Sequence, residues 1–316
     1  MSYRKSTPVM SSVIYNGTRG APFKTLISGL MERGNLKDKY IDVLTNDDNM
    51  KKFSKAFTAA SANSKENYEI YEQLGDVSAN KFIVWYAYQR FPQLQCPLGV
   101  KVVARLRINY GAKNSFAAIA DKLGFWPFIS AAEDGTDRSK FYRARHKKDL
   151  LEDVFEAFVG CTEQILDQEY RPGVGYGVVY DILMSIFDKI DISLKFEDLY
   201  DAKTRMKEIF DAFGDSLGSY KFIDTREYST DSEGTPFSTA IASLYQVPPG
   251  GNRHPIKVSG PDGSESRPNR GWKLIGSASA PTLKPAQQRA AEQGILTLNR
   301  LGYVKEVPME YRLFCR

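Results

Sequence analysis

The chain has 316 residues, 42% hydrophobic and 26% charged, with a formal net charge of +5. That length accommodates two domains, each able to bury a core. The mild basic surplus admits a polyanionic partner. No run approaches the roughly 18 apolar residues of a bilayer span, and three scattered cysteines with no C-x-x-C spacing argue against a disulfide framework or a zinc site.

Residues 1–22 are rich in serine and carry Arg4, Lys5 and Arg19, without the apolar core of a secretory signal. They read as a flexible basic segment. A reducing, cytoplasmic setting away from membranes is the expectation. FKTLISGLMERG (residues 23–34) places Phe23, Leu26, Ile27 and Leu30 at helical spacing and ends on Gly34. YIDVLT and NMKKFSKAFTAAS predict further helices, with Asn46 or Asp47 as a cap.

NYEIYEQLGDVSAN (residues 67–80) predicts a helix with Glu69, Glu72 and Asp76 along one face. Ile70, Leu74 and Val77 share another face and are expected in the core. The aromatics of KFIVWYAYQRFP continue the helix as further core candidates, up to Pro92. CPLG breaks the chain, and helices resume near Val100. FYRARHKK then leads into DLLEDVFEAFVG (residues 149–160), where Asp149, Asp153 and Glu156 repeat the acidic spacing opposite a stripe of Leu150, Leu151, Val154, Phe155 and Phe158. Carboxylates four residues apart repel by roughly 0.2–0.5 kcal/mol per pair on an isolated helix. Two such rows packed together suit a hard cation with oxygen ligands. Arg143, Arg145, Lys147 and Lys148 are candidates to hold phosphates beside them. The two histidines, His146 and His254, stand in no recognisable nucleophile setting.

VVYDILMSIFDKI (residues 178–190) is one more amphipathic helix, and residues 191–199 read as a connection. Composition changes near residue 200. DAKTRMKEIFDAFG predicts a helix. YKFIDTREY, TPFSTAIASLYQV, HPIKVSG and GWKLIGSAS predict strands, with PPGG and PDGSESRPNRG as loops. PAQQRAAEQGILTLNRLG closes the chain as a helix.

YEQLGD, with AFTAAS upstream and DVFEAFVG downstream, resembles the signature of the ribonuclease III family. Glu72, Asp76, Asp153 and Glu156 match its four metal-site acids, Glu69 an additional acid that would orient water or RNA, and Gly75 the glycine before the Asp. RLRINYGAKNSFAAIADKLGF resembles the family's middle helices. The resemblance implies an all-α endonuclease domain over residues 23–190. After the connection, residues 200–316 resemble a degenerate α-β-β-β-α double-stranded-RNA-binding domain, with Ala290 and Ala291 as paired alanines and Lys284 and Arg289 as the remaining phosphate contacts.

It further implies cleavage of double-stranded RNA by two Mg²⁺ ions (Mn²⁺ substituting), 5′-phosphate and 3′-hydroxyl ends, and a homodimer. Ionised carboxylates would serve, so no displaced pKa is required. Gln73 departs from the family's bulky apolar residue at the dimer contact, Ile70 from a basic residue, and residues 132–140 form an inserted loop. Two other readings remain open at this point. One is a non-catalytic duplex-RNA-binding or ribosome-associated relative. The other is a helical Mg²⁺-dependent nucleotide pyrophosphohydrolase.

Overall fold

The computed structural model describes residues 13–133, 142–230, 236–260 and 263–314. Cys315, most of the inserted loop, and the first dozen residues lie outside these. Two compact units divide between Ile192 and Ser193.

The first unit is built on helices α1 (Ala21–Arg33), α2 (Asp38–Leu44), α3 (Asp47–Ala56), α4 (Glu69–Arg90), α5 (Gly99–Tyr110), α6 (Lys113–Lys122), α7 (Tyr142–Arg145), α8 (Lys147–Glu169) and α9 (Val174–Phe187). Asn46 caps α3, its side chain accepting from the Asn49 amide at 2.9 Å. The core is strongly aromatic. Phe53, Phe57, Phe82, Phe116, Phe125, Phe155, Phe158 and Phe187 are all fully buried. Each ring removes a large apolar area from water, and edge-to-face pairs such as Phe125–Phe158, with centroids 5.7 Å apart, add to that.

Helices α4 and α8 cross at two glycines. A Cβ on Gly75 would run into the Glu156 carbonyl, and one on Gly160 into the Tyr71 carbonyl. Only hydrogen at both positions lets the backbones approach so closely. The contact selects the buried side of α4: Tyr71, Gly75, Ser78, Ala79, Phe82, Ile83 and Tyr86. Ile70, Leu74 and Val77, expected in the core, are instead 58%, 43% and 67% exposed. Helix α4 is apolar on two faces, and the small residues decide which one faces α8. The aromatics divide likewise: Phe82 and Tyr86 are buried, Trp85 and Tyr88 about half exposed.

The N-terminal segment needs correcting over residues 13–22. A short strand β1 (Val13–Tyr15) pairs antiparallel with β2 (Ala131–Glu133). Arg19 donates to the Phe128 carbonyl at 2.5 Å and to the Ser130 hydroxyl at 3.2 Å. Burial lowers its pKa to about 10, and its guanidinium lies 4.9 Å from the Phe23 ring. Fixed carbonyl acceptors anchor this stretch, which its basic composition did not disclose.

The second unit contains α10 (Phe196–Leu199), α11 (Ala202–Ala212), α12 (Gly214–Leu217), β3 (Ser219–Thr230), β4 (Pro236–Val247), β5 (Ile256–Gly260), β6 (Gly263–Arg267), β7 (Lys273–Ala280), α13 (Leu283–Arg300) and α14 (Met309–Phe314). Strands β3, β4 and β7 form one antiparallel sheet in that order. Met206, Ile209 and Phe210 of α11 join Ala286, Ala290, Ala291 and Leu298 of α13 in a core with Ala242, Leu244 and Ile275 of the sheet. Gly276 admits α13 closely, because a Cβ there would strike the Ala290 carbonyl.

Two expectations change in this unit. Residues 193–199 do not form a free connection: Phe196 and Leu199 are buried, and the Phe196 ring lies 5.3 Å from that of Tyr311. HPIKVSG does not join the main sheet. Its strand β5 pairs with β6 in a separate hairpin inserted between β4 and β7. Part of the predicted loop PDGSESRPNRG thereby becomes a strand. Among the described residues no helix is long and apolar enough to cross a membrane.

Candidate active site

The Gly75–Gly160 crossing brings the two acidic rows together. Glu72 and Asp76 stand on α4, and Asp153 and Glu156 on α8, one turn apart within each pair. Glu156 is 6% exposed. Its pKa is pushed up to about 8, first by burial and then by Asp76, Glu152, Glu72 and Asp153. Glu72 rises to about 7, first by burial, then through Asp153, Glu152, Glu69 and Asp76. Thus Glu72 and Glu156 each lie within electrostatic reach of acids on both helices. No displaced pKa was required of these carboxyls, yet burial and neighbouring acids raise both, a push that a bound cation would oppose.

The other acids have partners. The Tyr68 hydroxyl donates to Asp153 Oδ2 at 2.6 Å, opposing the upward push of burial on that carboxyl. Asn80 Nδ2 donates to Asp76 Oδ1 at 2.7 Å. Lys113 Nζ lies 2.9 Å from both Asp149 and Glu152, and these bonds raise its pKa. The lysine therefore neutralises the outer half of the α8 row and leaves the inner half, Asp153 and Glu156, for another cation. Glu69 is exposed at the start of α4 and acts on Glu72 only through its charge.

Tyr68, Asn80, Lys113 and Glu152 went unrecognised in the sequence. Glu152 was legible, since Asp149, Glu152, Asp153 and Glu156 form one continuous i, i+3, i+4, i+7 row. Nothing local to Tyr68 or Lys113 reports a partner dozens of residues away.

The basic run before α8 separates into different roles. Arg143 is 9% exposed and lies between two rings, 3.8 Å from Tyr15 and 3.7 Å from Trp126, with Nη2 donating to the Trp126 carbonyl at 2.6 Å. It is a packing residue, which corrects its reading as a phosphate holder. Lys147 pairs with Asp121 at 2.9 Å, while Lys148 is exposed. Both line a shallow cleft of about 270 Å³ with Asn114 and Leu151. Lys284 and Arg289 belong to the second unit. Lys284 is exposed, and Arg289 Nη1 donates to the Ser279 carbonyl at 3.1 Å.

Among the described residues, no group of three or more His, Cys, Asp or Glu side chains is set closely enough, as it stands, to hold a metal ion. The donor set nonetheless fits a hard divalent ion. It offers only carboxylate oxygens, and burial and mutual repulsion raise the pKa of two of them.

A Ribonuclease III domain model matches residues 69–163, the stretch from the start of α4 into α8. A protein of Invertebrate iridescent virus 6 named "Putative ribonuclease 3" is 36% identical over 316 residues, covering 96% of each chain. One of the same name from Frog virus 3 is 45% identical over 184 residues, 58% of this chain and 47% of its own. Ribonuclease 3 of Limosilactobacillus reuteri is 32% identical over 192 residues, 59% of this chain and 76% of its own. The solved nuclease domain of ribonuclease III from Campylobacter jejuni aligns with a TM-score of 0.37 at 23% identity, over 52% of this chain and 99% of that one. With two crossed acidic helices matched by the domain model and a relative aligned along nearly its whole length, the chain belongs to the ribonuclease III family of endoribonucleases.

Proposed function

We propose that this chain cuts double-stranded RNA in a reaction that requires Mg²⁺, with Mn²⁺ able to substitute. Glu72, Asp76, Asp153 and Glu156 would hold the metal. The observation that carries the reading is the buried Glu156, raised to about 8 within a group of four carboxylates. A cation there would return Glu72 and Glu156 to their ionised forms. Divalent cation held by these acids would supply activation of water and stabilisation of the departing 3′ oxygen. The chain's own contribution is orientation. Tyr68 holds Asp153 by its hydroxyl, Asn80 holds Asp76, and Lys113 keeps Asp149 and Glu152 engaged. Glu69, exposed at the start of α4, is the candidate to orient water or RNA. The products carry 5′-phosphate and 3′-hydroxyl ends.

The second unit, with α11 and α13 on one face of the β3-β4-β7 sheet, is read as a double-stranded-RNA-binding-like domain. Such a domain reads duplex shape through backbone and 2′-hydroxyl contacts. Lys284 and Arg289, with Lys147 and Lys148 of the first unit, are the proposed phosphate contacts.

One carboxylate group serves one strand, so a duplex cut needs two copies. Helix α4 offers the surface for pairing. Ile70, Leu74 and Val77 are exposed on one side, and Trp85 and Tyr88 follow further along. A soluble chain rarely leaves such an apolar row to water. A homodimer across this face is the reading, with Gln73 as a polar member of the row.

Incubating long duplex RNA with the protein and Mg²⁺ and sizing the fragments tests the function. Glu156→Gln should reduce cutting by at least about 100-fold, the order that oriented metal chemistry contributes. It should leave duplex binding in place. Intact RNA with the wild-type chain would favour the non-catalytic reading, and equal loss of cutting and binding would remove Glu156 from the metal.

A further inference from the structure

The β5–β6 hairpin and its flanks have no part in the site above. Over residues 248–273 the chain carries Arg253, Lys257, Arg267, Arg270 and Lys273 against only Asp262 and Glu265. Glu265 lies 3.6 Å from Arg267. Arg253, Lys257, Arg270 and Lys273 are exposed and have no acidic partner among the described residues. The segment is held in place. Trp272 Nε1 donates to the Asn252 carbonyl at 2.9 Å, Asn269 Nδ2 donates to the His254 carbonyl, and the Trp272 amide donates to the Asn269 carbonyl at 3.1 Å. These bonds pin residues 252–254 against residues 269–272, which places the backbone of Arg253, Arg270 and Lys273 at the end of the sheet where β7 starts.

Apolar and aromatic surface lies at the same end of the sheet, Trp272 and Leu274 on the Tyr245 face and Lys273 on the opposite face, at the strand's start. Trp272 is half-buried against Tyr245, ring centroids 6.1 Å apart, and Leu274 beside it is 56% exposed. Cations beside ring and aliphatic faces suit a strand whose phosphates and bases are both accessible. A closed duplex offers phosphates but hides its base faces.

The start of α13 differs. Asp224 accepts from Gln287 at 2.8 Å, and Asp201 from Gln288 at 2.9 Å. Two carboxylates thus stand among Lys203, Lys284 and Arg289, and Arg289 is already tied to Ser279. Strand β7 runs from Lys273 toward α13, which separates the two surfaces by roughly 25 Å at about 3.3 Å per residue.

We propose that this end of the second unit binds an unpaired RNA strand, with phosphates on Arg253, Arg270 and Lys273 and bases against Trp272 and Leu274. The proposal rests on the ribonuclease reading only for RNA as the polymer. Its test therefore uses the full chain in EDTA, where no cutting intervenes. The probe is a fluorescent single-stranded oligonucleotide of about 12 nucleotides, within the usual site size. Replacing Arg253, Arg270 and Lys273 by Ala should weaken its binding at least about tenfold and lower the log–log salt slope by about 2.

Lys284→Ala with Arg289→Ala should weaken duplex binding and spare the single strand. Lys273→Ala alone, at an exposed side chain, should weaken single-strand binding about threefold even if the triple variant does not fold. Unchanged affinity in Lys273→Ala and the triple variant, or loss of single-strand binding through Lys284 and Arg289 instead, would overturn the proposal. Wild-type cutting of duplex RNA in Mg²⁺, run alongside, reports on the nuclease reading separately.

Discussion

Glu156 has the least contact with water of the four acids, and three other acids of the group raise its proton affinity beyond what burial does alone. A carboxyl whose folded pKa lies above its unfolded value binds more protons folded than unfolded in the interval between them. For Glu156 that interval runs from about 4.5 to about 8, so its stabilising contribution is full below pH 4.5 and is lost as pH rises toward 8. Glu72, raised to about 7, acts in the same direction. In EDTA the melting temperature of Glu156→Gln should therefore gain on that of the wild type between pH 5 and pH 8. Divalent cation should cancel the gain by stabilising only the wild type. A constant difference across that range would show that Glu156 is ionised throughout. At this scale the sequence was most legible in the acids themselves, because charge at i, i+3 and i+4 can be read without knowing any partner. Tyr68 and Lys113 were not legible, since their bonds to Asp153, Asp149 and Glu152 exist only after α4, α6 and α8 have packed.

Among elements, the α4–α8 crossing fixes the geometry of the group. Gly75→Ala would place a methyl group against the Glu156 carbonyl and force the helices apart. The variant should lose about 3 kcal/mol of stability in urea unfolding, the upper end of usual overpacking, and its metal affinity should fall with it. A loss within about 0.5 kcal/mol, as at an ordinary surface position, would mean that the crossing is looser than described. The same contact explains why the buried side of α4 was misread. Hydrophobic periodicity favoured Ile70, Leu74 and Val77, whereas close backbone approach favoured Gly75, Ser78 and Ala79, which contribute little to an apolar pattern. Strand β6 escaped detection for a related reason. Ser264, Glu265 and Ser266 lack the alternation of a half-buried strand, and the hairpin pairs outside the main sheet.

For the whole molecule, the exposed row on α4 predicts association. Leu74→Lys with Val77→Lys should convert a dimer into monomers in sedimentation velocity while leaving each unit folded. A wild-type chain that sediments as a monomer at micromolar concentration would leave that row without its proposed partner. Anomalous scattering from crystals soaked in Mn²⁺ would locate the cation that Glu72, Asp76, Asp153 and Glu156 are proposed to hold. The expected density lies between α4 and α8 in contact with carboxylates from both helices and is absent from Glu156→Gln crystals. Density confined elsewhere, or touching only one of the two helices, would contradict that proposal.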